Sequence, residues 1–393
     1  MISLEKACEQ IELGTSSTAL STERIGVQEG LNRVVAVPQR SNLDLPPFNK
    51  SAMDGYAILA DDAHQEYCLL ETVAAGSVSQ QKLRSGAVIK IMTGAPVPDN
   101  AAKVIPVELA KEHNGKVSFV AQDNARHICM QGEDVRCGDI IMPSSTLLGS
   151  VEIANLISCG IKQIEVYRKP KIAIISTGNE IVDDMEKLIP GKIMNSNGPM
   201  LKTLCDQFNY EVVLYQTVVD DLDDTIKVLD AALRAADIII FSGGVSVGDF
   251  DYVTKAIEHA GLKTYFNRVA IKPGKPTTFA AGENKLIFGL PGNPVAVYLT
   301  FHLFVRRAIN LMNKSKVNLN YVSLPLQTDF VRRKTERTEF VPCKLNANME
   351  IQPIEYHGSA HLSALLQADG FFVVPKGIKQ INVQENAQCV GFD

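Results

Sequence analysis

Between Lys169 and Met312 the chain alternates two textures. Nearly continuous apolar runs, KIAIIS (171–176), EVVLYQTVV (211–219), ADIIIF (236–241) and KLIFGL (285–290), are separated by amphipathic stretches, SNGPMLKTLCDQF, DDTIKVLDAALRAA and DYVTKAIEHAG. A strand apolar on both sides has no face to offer water, so the pattern predicts a parallel sheet covered by helices on both faces. This restricts the segment to a doubly wound α/β fold. The largely apolar NPVAVYLTFHLFVRRAINLM (293–312) then predicts a long buried helix.

The flanks read differently. At 393 residues there is room for about two to four domains. Residues 1–42 read as helical, with Ser3 ahead of LEKACEQIEL and Thr22 ahead of a second candidate helix through Leu31, followed by RVVAV as a short strand. Residues 43–138 are a β-rich module of short runs (YAILA, YCLLETVAAG, AVIKIM, KVIPVEL, KVSFVA) punctuated by Gly, Pro, Asn and Asp. Residues 139–168 return to helical spacing and are expected to pack back on 1–42, which makes 43–138 an insertion. The α/β domain then runs over 169–315, and 316–393 is β-like again. The predicted fold class is α/β plus β-rich modules in a multidomain chain.

Composition narrows the function. Net charge is −5, aromatics are 6% and Trp is absent, so neither a basic nucleic-acid surface nor a base-stacking platform is expected. No apolar run approaches the roughly 18 residues of a membrane span, and MISLEKACEQIEL does not read as a secretory signal. Cys8, Cys68, Cys129, Cys137, Cys159, Cys205, Cys343 and Cys389 form no C-x-x-C pair and no cluster with His. Reduced thiols in a cytoplasmic protein are therefore expected, rather than disulfides or a structural zinc site.

In an open parallel sheet, ligands sit beyond the carboxyl ends of the strands. Three Gly-containing loops fall there: Thr177-Gly178-Asn179-Glu180, Ser242-Gly243-Gly244-Val245-Ser246-Val247-Gly248, and Pro291-Gly292-Asn293-Pro294. Gly lets backbone N–H groups approach a ligand closely. The second loop continues into Asp249 rather than Lys-Ser/Thr, so it is no P-loop, and it lacks G-x-G-x-x-G order. Arg268, Lys272 and Lys275 put three cations into eight residues, with Pro273 and Pro276 stiffening the turn; convergent cations of this kind suit an oxyanion. Carboxylates in loops (Asp54, Glu133, Asp134, Asp220, Asp221, Asp249, Asp251) suit a hard divalent cation that bridges to phosphates. Asp220 or Asp221 also has a capping position ahead of a helix. Asp54, between Met53 and Gly55, has no evident capping duty. The seven histidines make no Ser/His/Asp or Cys/His order.

Taken together, these loops resemble one family. Pro46-Pro47-Phe48-Asn49-Lys50-Ser51-Ala52-Met53-Asp54-Gly55-Tyr56-Ala57 is similar to the signature of molybdopterin molybdenumtransferases, the family that includes the C-terminal domain of gephyrin. So are Thr93-Gly94-Ala95-Pro96, Gly132-Glu133-Asp134, Ser176-Thr177-Gly178-Asn179-Glu180, the 242–248 loop, Lys272-Pro273-Gly274-Lys275-Pro276, Leu290-Pro291-Gly292-Asn293-Pro294 and Gly358-Ser359-Ala360-His361-Leu362-Ser363.

The resemblance implies a C-terminal β-barrel-like domain, an elongated homodimer with a shared active site, and a reaction that takes adenylylated molybdopterin and molybdate with Mg²⁺. AMP leaves and the dithiolene keeps the metal. It implies catalytic positions at Asp54, Asp134, Glu180, Asp251 and Lys272, and a metal held among Asp220, Asp251 and Glu180. Substrate-binding positions are implied at Thr93, Gly94, Ser242, Gly243, Gly244, Ser246, Arg268, Lys275, Pro276, Pro291, Gly292, Asn293, Pro294 and Arg337. A molybdopterin adenylyltransferase is a candidate docking partner.

The chain departs from the family pattern at Asn179, where Asp is frequent, at Arg268 in place of Lys and at Ala296 in place of Ser. The stretch Arg332-Arg333-Lys334-Thr335-Glu336 follows it poorly. A tungstate-selective paralogue and a non-catalytic scaffold on the same fold are the alternative readings. Tungstate and molybdate are tetrahedral dianions of nearly equal size. A pure scaffold has no need of Asp54, Lys272 and Lys275.

Overall fold

A computed structural model describes residues 1–121, 123–244, 252–317 and 319–391. Its centre is a six-stranded sheet in the order Glu211–Val218, Lys171–Thr177, Ile238–Ser242, Lys285–Leu290, Thr278–Gly282, Lys263–Phe266. The first four strands are parallel, in the register Ile172↔Ile238↔Leu286. Side chains alternate between two buried faces. Ile172, Ile174, Ile238, Ile240, Leu286 and Phe288 point into one core, with Leu201 and Leu204 of helix Asn197–Gln207 and Val297, Phe301 and Phe304 of the 294–312 helix. Ala173, Ile175, Ile239, Phe241 and Ile287 point into the other, against helices Leu222–Ala235 and Tyr252–His259. Each expected α/β strand and helix forms. The helix from Pro294 to Met312 passes through a π turn at Phe301–Val305; it is apolar enough for a membrane span, but 72% of that window is buried in the fold.

The sheet is not parallel throughout. Thr278–Gly282 runs antiparallel to Lys285–Leu290, and Lys263–Phe266 antiparallel to Thr278–Gly282. Only Glu283 and Asn284 join the first pair, with Asn284 at φ +56. A two-residue connection makes a hairpin, whereas a parallel pair needs a crossover of a dozen residues or more.

The N-terminal region departs further from expectation. Leu4–Thr15 is a helix, with Ser3 Oγ accepting from the Lys6 N–H. The second expected helix is instead strand Thr22–Gly26, followed by one 3₁₀ turn at Val27–Glu29. That strand pairs antiparallel with Gln163–Tyr167, and the long-range partner outweighs local propensity. RVVAV contributes only isolated bridges, at Val34 and Val35. Between these paired strands lies a second six-stranded sheet, in the order Lys103–Pro106, Gly55–Ile58, Ala87–Ile91, Tyr67–Val73, Lys116–Phe119, Ala110–His113.

The C-terminal strands order as Thr338–Leu345, Gly370–Val374, Asn386–Val390 and Tyr321–Pro325, and Ile351–Pro353 also pairs with the first. The path turns back on itself: Leu326, which continues the last of these strands, bridges Ile351, the Gln327 N–H donates to the Ile351 carbonyl, and Ile351–Pro353 lies on the first strand. The other end of the first strand pairs with Ile271–Lys272, lent by the α/β domain (Ile271↔Thr338, Lys272↔Glu339).

One ion pair ties the sheet to the segment that enters it. Arg168 Nη1 and Nη2 reach Asp237 Oδ2 and Oδ1 at 2.6 and 2.8 Å, and the Lys171 N–H donates to Oδ2 at 2.8 Å. Burial pushes the Asp237 carboxyl up; the Arg168 hydrogen bonds, the Lys171 N–H and the Arg168 charge outweigh it and hold the group below its ordinary value. A depressed folded-state value contributes stability above the unfolded value of about 3.9, and that contribution is lost as pH falls through the folded value. Asp237→Ala is therefore expected to lower unfolding free energy by about 2–3 kcal/mol at pH 7, with the gap to wild type closing below pH 4, as read by chemical denaturation at both pH values.

Candidate active site

A cavity of about 590 Å³ opens at the carboxyl ends of the parallel strands. Strand Lys171–Thr177 delivers Thr177, Gly178 and Glu180; strand Ile238–Ser242 delivers Gly243 and Gly244; strand Lys285–Leu290 delivers Pro291, Gly292 and Asn293. Gly243 and Gly244 stand at φ +92 and +66, and a Cβ on Gly244 would lie 2.5 Å from Thr177 Oγ1. The double glycine thus has both a conformational and a steric reason. Ser242 lies buried beneath this loop and does not line the cavity. Ser246 and Asp251 fall outside the described residues.

The acidic wall is built by exchange of hydrogen bonds between two loops. The Asn179 N–H donates to Asp220 Oδ2 at 3.2 Å, and the Asp220 N–H donates to Asn179 Oδ1 at 3.1 Å. Asn179 therefore serves as a brace for Asp220 in this chain. Asp221 takes the capping duty, accepting from the Asp224 N–H, which leaves the Asp220 carboxylate to line the cavity beside Glu180. The Glu180 carboxylate folds over Gly178, where a side chain would collide with it.

The basic wall comes from the Lys272–Pro276 turn, which leaves the central sheet, and from Arg337. Lys272 and Lys275 are exposed at the cavity. Lys272 Nζ lies 2.6 Å from Glu339 Oε1, and Arg337 Nη1 donates to the Ile271 carbonyl at 3.2 Å. Arg268 and Pro294 do not line this cavity. The Arg268 carbonyl instead accepts from the Ile2 N–H, pinning the N-terminus to the turn.

Four expected residues lie elsewhere. Asp54, Thr93, Gly94 and Asp134 belong to the module built on the second sheet, and none lines the cavity formed by this chain. Asp54 Oδ1 accepts from the Thr93 N–H at 2.6 Å and the Thr93 hydroxyl at 2.7 Å, and these two bonds hold its carboxyl below the usual value. The Asp134 side chain is exposed. This module thus presents an ionised carboxylate of its own at the surface.

The sequence reading gave no role to Tyr356 or Ser359, which also line the cavity. Asn293 Nδ2 donates to Ser359 Oγ at 2.6 Å, so a C-terminal loop closes over the Pro291–Pro294 loop. The Gly358-Ser359 motif was visible in the sequence, but nothing local indicated which loop it would meet. Burial, then the nearby charge of Glu339, pushes the Tyr356 phenol well above its ordinary value.

Comparison with known proteins agrees with this arrangement. Profiles described as the MoeA N-terminal region (domain I and II), a probable molybdopterin binding domain and the MoeA C-terminal region (domain IV) match residues 2–160, 173–310 and 324–390. The chain is 35% identical over 369 residues to the molybdopterin molybdenumtransferase of Staphylococcus epidermidis, covering 90% of this chain and 87% of that one. The chain belongs to the molybdopterin molybdenumtransferase family.

The Staphylococcus aureus molybdopterin molybdenumtransferase is 32% identical over 391 residues, covering 96% of this chain and 92% of that protein. Among solved structures, a molybdopterin biosynthesis moeA protein from Pyrococcus horikoshii OT3 superposes over the whole of both chains with a TM-score of 0.84 at 29% identity. Membership of the molybdopterin molybdenumtransferase family places the chain in molybdenum cofactor biosynthesis.

The Asp54–Thr93 pair gives a direct measurement. With both Thr93 donors present, Asp54 should titrate below about 3.9. Thr93→Val keeps the N–H donor and removes the hydroxyl, so the Asp54 carboxyl should move up towards the ordinary value. Carboxyl ¹³C NMR titration of the two proteins reads the difference.

Proposed function

We propose that this chain is a cytoplasmic transferase that inserts molybdenum from molybdate into adenylylated molybdopterin and releases AMP. The observation that carries the reading is one cavity lined by groups of both charges. Glu180 and Asp220 share it with Lys272, Lys275 and Arg337 and with three glycine-containing strand ends. A phosphoanhydride-linked nucleotide and a tetrahedral dianion need both kinds of group. The backbone of the strand-end loops admits the phosphates closely, and the cations hold the dianion beside the dithiolene. The eight free cysteines suit a reducing compartment. We divide the chain into domains at 1–42 with 139–168, 43–138, 169–315 and 316–393.

Glu180 and Asp220 are hard oxygen donors lining the same space, and they fit Mg²⁺ whose remaining ligands are water and substrate oxygens. Among the described residues these two carboxylates would be the protein's share; Asp251, the third expected ligand, lies outside them. When bound, the cation would neutralise phosphate charge. The chain's own residues then orient the two substrates: Lys275 and Lys272 fix the oxyanion, Arg337 approaches from the C-terminal sheet, and Glu180 and Asp220 would hold the cation that meets the nucleotide phosphates.

Two expectations follow. Lys275→Ala should weaken apparent molybdate affinity about tenfold or more, since a charge-assisted contact is worth about 1.5–3 kcal/mol, while AMP binding changes less. Molybdate titration of AMP release in both proteins checks it. A collapse of nucleotide binding that added molybdate cannot rescue would reassign Lys275 to phosphate.

The second concerns assembly. Asp54 and Asp134 stand on a different module and do not line the cavity of their own chain. We place them opposite the cavity of a second copy, in a two-fold homodimer. Mixing Asp54→Ala chains with Lys272→Ala chains under subunit exchange should restore activity towards half of wild type. Background activity despite demonstrated exchange would reject a shared site. Molybdate-dependent AMP release by the wild-type protein tests the reaction itself.

A further inference from the structure

We propose that Glu339 is a positioning residue for the oxyanion turn: anchored in the C-terminal sheet, it holds the Lys272 ammonium and aims it into the cavity. The inference rests on the functional reading above and names a residue that reading does not use.

Glu339 is a charged residue almost wholly withdrawn from water, with 6% of its surface exposed. Such a group persists only where its charge is met. One carboxylate oxygen lies 2.6 Å from Lys272 Nζ and the other 3.5 Å from Arg332 Nη1. Arg332, also 6% exposed, cannot follow a moving partner. Its Nε donates to the Ile378 carbonyl at 2.7 Å, Nη1 to Arg337 at 2.8 Å and Nη2 to Pro375 at 2.5 Å. Arg332, in the stretch that fits the family pattern poorly, is therefore a frame that fixes Glu339.

Lys272 is the mobile member. Its side chain is 49% exposed, lines the cavity, and carries three donors on a four-carbon stem. Left alone, such a stem spreads over many rotamers, and ordering it on binding costs conformational entropy. Glu339 takes one donor and leaves two for a ligand. The backbone reinforces the placement, because Lys272 and Glu339 are register partners in a parallel ladder, and the Thr338 N–H donates to the Ala270 carbonyl. The pairing thus couples a cation on a turn of one domain to a rigid arginine frame in another. Tyr356, His357, Arg333, Lys334 and Arg337 also line the space around Lys272 and Glu339, and Arg337 is held separately on the Ile271 carbonyl.

The test is molybdate binding by calorimetry, without adenylylated molybdopterin, on the full-length protein. Glu339→Ala should weaken molybdate binding about tenfold and leave AMP affinity and, in the turnover assay, kcat within about twofold. Glu339→Gln keeps an acceptor at the same reach and should stay within about threefold of wild type. Glu339→Asp keeps the charge but shortens the reach, and should fall with Glu339→Ala. Wild-type affinity in Glu339→Ala, or Glu339→Gln as weak as Glu339→Ala, overturns the proposal. If Glu339→Ala does not fold, the order of Glu339→Gln over Glu339→Asp decides. Should the wild-type protein bind no molybdate, the oxyanion assignment fails, and Glu339 is judged by the rate of Lys272 acetylation mapped by mass spectrometry. Faster modification in Glu339→Ala and Glu339→Asp but not in Glu339→Gln supports the positioning role; equal rates in all four proteins reject it.

Discussion

Burial of the central sheet on both faces is the constraint from which the rest of the architecture follows. Ile172, Ile174, Ile238 and Ile240 are sealed under one helical layer, and Ala173, Ile175, Ile239 and Phe241 under the other. With both faces closed, chemistry is left to the strand ends. The three glycine-containing loops all leave strands at the same end, because strands 171–177, 238–242 and 285–290 are parallel neighbours. Their backbone groups therefore converge on one cavity without any further instruction.

What the sheet cannot supply is the cationic wall. The 267–277 segment leaves the α/β domain, contributes Ile271–Lys272 as an edge strand to the C-terminal sheet, and returns as strand Thr278–Gly282. This edge pairing covers backbone groups that would otherwise be open to unwanted partners. It also carries Lys272 next to Glu339 and Arg337, and the Ser359 loop down onto Asn293. The C-terminal module thus forms part of the site, and its orientation is set by main-chain hydrogen bonds as well as by side-chain packing.

Several polar groups are held before a ligand arrives. At the cavity Asn179 and Asp220 brace one another and Lys272 is drawn to Glu339, and on the separate module Asp54 is fixed by both Thr93 donors. Bracing of this kind lowers the ordering cost on binding. It also gives Asn179, a departure from the family pattern, a structural duty that a carboxylate at the same position would perform under charge repulsion from Asp220.

The α/β domain was legible in the sequence because its signal is local: apolar runs of strand length, amphipathic spacing, and glycines at the junctions. The loops carrying Glu180, Gly243 and Gly292 could be placed on one edge for the same reason, and the family motifs supplied Lys275 and Arg337. The 22–31 segment could not be read. Its helical spacing loses to pairing between Ile25 and Ile164, a partner 139 positions away. Likewise Glu339 carries no local sign of function and acquires one only because a ladder sets it beside Lys272, and the motif that holds Ser359 does not say that it meets Asn293. The separation of Asp54 from the cavity of its own chain is also invisible in spacing. Periodicity and turn chemistry act over a few residues, so sequence alone determined the elements and the edge where ligands meet them. Which distant side chains share that edge depends on long-range pairing between modules, and only the tertiary structure decided it.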